Sequence, residues 1–148
     1  MDARGRDAVL RQPFMTLIGA TLERAERGEV EIRLPCRSDL TQHTGVVHAG
    51  VVTSIVDTAC GAAAATLLPA DREVVSVEFK INLLAPASGD YLRAVGRVVR
   101  AGRTLTVCSG EVFAISGGDS RIVAVMQATM MAVTTRDSQL TKNQHALS

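Results

Sequence analysis

Residues 42–68 read QHTGVVHAGVVTSIVDTACGAAAATLL, and Asp57 is the one formally charged side chain among them. An unpaired carboxylate is costly to bury, so a chain that keeps one inside an apolar run usually gains chemistry from it. Residues 51–56 alone have the β-branched composition of a strand. The run, however, is too long for one strand, carries no turn signal and passes into the alanines at 62–65 before Pro69. It therefore predicts one buried helix, and apolar residues on nearly every side imply that protein surrounds most of its circumference. Just ahead stand His43, Gly45, His48 and Gly50, a polar, glycine-containing lead-in that marks the segment as a candidate reaction site.

Working toward the N-terminus, residues 4–14 predict a short amphipathic helix with Val9, Leu10 and Phe14 on one side and Pro13 at its end. Residues 16–24 and 29–34 alternate around Arg27 and Gly28 as a hairpin that Pro35 stops. Ser38, Asp39 and Thr41 then supply loop chemistry before the glycines.

Beyond Pro69, residues 73–84, 90–100, 104–115 and 121–134 predict four strands. In the first, Val75, Val77, Phe79, Ile81 and Leu83 share one face, and Ser76, Glu78, Lys80 and Asn82 share the other. Short connections at 85–89, 101–103 and 116–119 suggest an antiparallel meander. The sum is an α+β domain, an antiparallel sheet wrapped around one long central helix. Residues 1–148 are expected to form this single domain, with a core of about 16–134 and a flexible tail at 135–148.

Sixteen basic and fifteen acidic residues nearly cancel, which argues against nucleic acid or an anionic membrane as partner. Three cysteines without CxxC or zinc-ligand spacing read as core residues in a reducing compartment, with no metal site. The opening MDARGRDAVLRQP lacks the apolar core of a secretory signal, so the expected location is the cytoplasm. A membrane span over residues 49–68 is disfavoured by its Ala, Gly and Thr content and by Asp57 at its middle.

Gly45, two apolar residues, His48, a small residue, Gly50 and then Asp57 on the helix form a pattern. With VEFKINLLAPASG at 77–89 and GRTL at 102–105, the chain resembles the hotdog-fold acyl-CoA thioesterases of the phenylacetate-pathway type over about residues 16–133. The resemblance implies a homodimer, or a dimer of dimers, with sheets joined edge to edge and active sites at the subunit interface. Helix geometry agrees: nine residues separate His48 from Asp57, roughly 13 Å of rise and half a turn, so one subunit does not easily bring them together.

The same resemblance implies roles residue by residue. Asp57 matches the catalytic carboxylate, either a general base toward water or a nucleophile toward the thioester. The Ala49 amide matches the donor that polarises the thioester carbonyl, aided by the helix dipole. His48 shapes the loop, Gly50 accompanies it at the substrate, Gln42 orients the water or the carboxylate, and Ser76 lies near the thiol leaving group. Arg103, within GRTL, and Lys80 are candidates for the coenzyme A phosphates, as are Arg97 and Arg100. Ala49 stands at the second residue of what is usually a His-Gly-Gly triplet, and Gln42 where the pattern often has Asn; both departures shift atoms at the reacting centre.

The expected reaction is hydrolysis of an acyl-CoA thioester to acid and coenzyme A, with no cofactor beyond the coenzyme A of the substrate. A hydratase or dehydratase of acyl thioesters is the nearest rival, but no second acid accompanies His48 in the sequence. A non-catalytic acyl-CoA-binding regulator is the other, and the residues before Thr16 are too few for a helix-turn-helix. Met126, Met130 and Met131 read as core filling ahead of an acyl tunnel.

Overall fold

The computed structural model describes residues 1–136 and Asn143; the expected flexible tail lies almost wholly outside the described residues. The apolar run forms helix α3, Ala49–Ala65, and no helix among the described residues is long and apolar enough to cross a membrane. Its second half is buried almost throughout, at Thr58, Ala59, Cys60 and the alanines 62–65, with Gly61 partly exposed. At its end Thr66 donates to the Ala63 carbonyl (2.6 Å) and accepts from the Gly28 amide (2.7 Å), tying the helix to a turn. The first half is less covered than expected, with His48, Ala49 and Gly50 exposed and Asp57 only partly buried.

The other elements, in chain order, are α1 (Ala3–Leu10), α2 (Pro13–Ile18), β1 (Thr21–Glu26), β2 (Glu29–Pro35), then β3 (Arg72–Leu83), β4 (Tyr91–Ala101), β5 (Leu105–Ser116) and β6 (Asp119–Thr134). They make one six-stranded antiparallel sheet in the order β1-β2-β4-β5-β6-β3 with α3 against one face, which is the hotdog architecture. Two glycines let the helix lie this close. A Cβ at Gly96 on β4 would overlap the backbone of Ala59 and Cys60, and one at Gly110 on β5 would overlap Val56.

Three local expectations are corrected. Pro13 does not end the first helix; it opens a second, because proline fits the first helical turn, where no amide partner is needed. The hairpin strand therefore starts at Thr21 and not near 16. The four later strands do not form a simple meander either. β3 pairs with β6 at the sheet edge and β4 pairs with β2, so residues 84–90 form a crossover in place of a hairpin.

The third correction concerns the faces of β3. The register runs Ser76 opposite Met130 and then Glu78 opposite Thr129, leaving Val77 as an extra residue in a bulge. Directly paired residues share a face, so the bulge inverts the alternation. Val74 and Ser76 face the helix before it, and Phe79, Ile81 and Leu83 after it. Ser76 is thus on the opposite face from Glu78, Lys80 and Asn82, and the uniform polar face read from the sequence does not exist.

Candidate active site

Residues 36–48 approach α3 through a one-turn 3-10 helix, Ser38–Leu40, and a tight loop. The Gln42 amide donates to the Val46 carbonyl (2.9 Å), the Gly45 amide donates to the Gln42 carbonyl (3.0 Å), and Gly45 takes φ +89°. The loop is fixed at its base, where the His48 amide donates to Leu40 and the Val47 amide to Ala87, each at 2.9 Å. These bonds hold the first turn of α3 at a set angle to the β3–β4 crossover.

His48 is the N-cap of the helix, and its Nδ1 accepts the Gly50 amide at 2.8 Å. This contact engages Nδ1 of the ring in the helix cap and satisfies an early amide of the helix. The His48 carbonyl accepts from Val51 (2.9 Å) and Val52 (3.2 Å). One amide of the first turn stays open: the Ala49 N–H has no hydrogen-bond partner among the described residues. An open amide at a helix N-terminus attracts developing negative charge.

Beside Ala49 lies a cavity of about 290 Å³, with Gln42 and Thr44 contributing polar groups and Val47, Val52, Ala87 and Val123 apolar walls. Gln42, His48, Ala49 and Gly50 therefore gather at one place. Asp57 does not join them within the chain, since eight residues of helix, about 12 Å, separate it from Ala49. It meets Ser76 instead, whose hydroxyl donates to Asp57 Oδ1 at 2.7 Å and also lies 3.3 Å from Met130 Sδ. The bulge at Val77 makes this contact possible by leaving Ser76 on the helix side.

The basic candidates stay apart from both groups. Lys80 is on the outer face opposite Gln127. Arg103 is exposed in the β4–β5 turn, more than roughly 20 Å along the sheet from the cavity at about 3.3 Å per residue. Arg97 is occupied, bonding Glu29 at 2.8 Å and Glu111 at 3.4 Å. His43 is exposed in the loop. Met126 and Met130 are core residues, and none of the three methionines lines the cavity.

The cysteines are packing residues. Burial pushes the Cys108 thiol up to about 11 and the Cys60 thiol further up, which suppresses the reactive thiolate. Half-buried Cys36 is also raised, by burial first and by Asp90 second. Among the described residues no cluster of three or more His, Cys, Asp or Glu is arranged to hold a metal ion.

A family profile described as the thioesterase superfamily matches residues 44–120, which includes the helix start, Asp57 and Ser76. A Halobacterium salinarum protein whose name proposes an esterase is 32% identical over 112 residues, 72% of each chain. Among solved structures, a thioesterase family protein from Silicibacter pomeroyi is 41% identical with a TM-score of 0.86, covering 88% of this chain and 96% of its own. A Bacillus halodurans protein whose crystal structure contains CoA is 27% identical with a TM-score of 0.75, covering 84% of this chain and 80% of its own. The PaaI protein of the Escherichia coli phenylacetic acid operon shares the fold at 19% identity, TM-score 0.73, covering 82% and 85%.

Proposed function

The chain belongs to the thioesterase superfamily and is a thioester hydrolase of the PaaI-like hotdog type, and from that premise we propose that it hydrolyses acyl-CoA through Asp57. The observation that carries this reading is the Ser76 hydroxyl bonded to Asp57 Oδ1 at 2.7 Å. That bond orients the carboxylate and leaves Oδ2 for a water. In the proposed step Oδ2 takes a proton as the water oxygen attacks the thioester carbon. The carbonyl oxygen becomes an oxyanion against the open Ala49 amide of a second copy of the chain. Collapse then breaks the C–S bond and returns the proton to sulfur, giving free acid and coenzyme A thiol. No metal or redox group enters this scheme. Ser76 is a positioning residue in it, beside the leaving group as the resemblance implied.

The partner is a second copy because Asp57 and Ala49 lie too far apart along one helix. CoA in the Bacillus halodurans relative supports a coenzyme A thioester as substrate. Arg103 and Arg100 remain candidates for its phosphates, Arg97 being engaged elsewhere. The hydratase reading would need a second acid beside His48 for proton shuttling, and none accompanies it in the sequence.

Asp57→Asn keeps an oxygen to accept the Ser76 hydroxyl but cannot take a proton. Free-thiol release from acyl-CoA is expected to fall about 10²–10⁴-fold, with thermal stability unchanged within a few degrees. Turnover at the wild-type rate would remove Asp57 from the chemistry. Loss of enoyl-CoA absorbance without thiol would point to the hydratase instead.

A further inference from the structure

Resting on that reading of the helix start, we propose that the cavity beside Ala49 is the acyl pocket and selects uncharged aliphatic acyl groups of medium length. Ala49 forms part of its wall, so a carbonyl against the Ala49 amide puts the carbon chain at the mouth. The inner walls are fixed: Val52 and Val123 are each 1% exposed, Val47 4% and Ala87 6%. An enclosed apolar cavity of about 150 Å³ accommodates a benzene ring, so about 290 Å³, part of it open to solvent, takes at most about twelve carbons. The thioester end occupies the mouth, which leaves space for a chain of about eight to ten carbons.

Toward the interior of the protein, length is limited by a seam. Val47 and Ala87 are joined by a 2.9 Å backbone hydrogen bond, and both also line a second cavity carrying Cys36, Arg37 and Ser38. A longer chain would have to open that seam and enter a polar, cationic space. Charge is limited as well. No charged side chain lines the first cavity, so a carboxylate at the far end of the acyl group would be desolvated without a partner. Nor does any aromatic ring line it, so an aryl group finds no stacking surface there.

Two parallel series test this: hydrolysis of acyl-CoAs from acetyl to palmitoyl with glutaryl- and phenylacetyl-CoA, and calorimetric binding of the matching non-hydrolysable S-alkyl-CoA thioethers. Expected are a maximum near octanoyl or decanoyl, a fall of at least about tenfold by palmitoyl, and glutaryl roughly a hundredfold below hexanoyl. Ala87→Leu is expected to shorten the preferred chain. Val123→Ala, which removes methyl groups from the inner wall, is expected to lengthen it, and serves if Ala87→Leu fails to fold. Thioether binding with this length limit but no thiol release would uphold the pocket and sink the hydrolase. Thiol release that is flat across lengths, best with phenylacetyl or glutaryl, or unmoved by a folded variant would sink the pocket and leave the hydrolase. Absence of both signals overturns both.

Discussion

Ala49 acts through its backbone amide, so the decisive substitution is the one that removes the amide and not the methyl. Proline fits this position: it is the first residue of α3, its N–H has no partner among the described residues, and His48 before it is already extended at ψ 137°. Ala49→Pro is therefore expected to leave the melting temperature within a few degrees while thiol release falls about 10²–10³-fold, the cost of one oxyanion donor. Ala49→Ser, which keeps the amide, is expected to retain most of the rate; an active proline variant would relocate the oxyanion donor. Asp57 stood out in the sequence because it is the lone charge in an apolar run, and the His48–Gly50 start because its small residues precede a helix. Ser76 did not announce its direction. Its aim depends on a bulge one residue later, and alternation of residue types across 75–83 continues through that bulge without a break. In the sequence His48 has only a loop-shaping role; that it caps the helix, with Nδ1 accepting an early amide, is seen in the structure.

At the scale of elements, the contact of α3 with the sheet depends on the absence of side chains beneath it. Gly96→Ala puts a methyl into the backbone of Ala59 and Cys60, which is not a flexible side-chain tip that can move aside. The expected loss is about 1–3 kcal/mol, a fall of roughly 3–10 °C in melting temperature for a chain of this size. Gly61→Ala is the opposite case. Its Cβ would meet Val74 and Met130 at ordinary distances of 3.9 and 4.0 Å, and alanine is the better helix former by up to about 1 kcal/mol. Scanning calorimetry of both variants should give shifts of opposite sign, and a Gly96→Ala protein as stable as wild type would contradict the packing described. Apart from the first strand, which starts five residues later than expected, strand positions were legible to within a residue or two from turn chemistry and alternation. Strand order was not, because a short loop such as 85–89 is compatible with a hairpin or a crossover, and only the competition between β2 and β3 for a partner decides it.

For the whole molecule, the two sheet edges differ in a way that bears on assembly. β1 is six residues long and carries Glu23, Arg24 and Glu26, a charged edge that discourages further pairing. β3 is twelve residues long and leaves Val75, Val77, Phe79 and Leu83 between 41% and 54% exposed. Phe79 and Leu83 face the helix side yet lie beyond its cover, on the same flank as the uncovered first half of α3. A second copy joined along β3 would cover both and would carry its own Asp57 to the opposing helix start. Mixing two inactive variants tests this arrangement. Ala49→Pro lacks the donor and Asp57→Asn lacks the base, so a mixed dimer has one site with both defects and one with neither. Random exchange of equal amounts should restore about a quarter of wild-type turnover, since half the dimers are mixed and half their sites intact. If each site were built within one chain, mixing would restore nothing, and that result, with exchange verified by mass spectrometry, would refute the shared site.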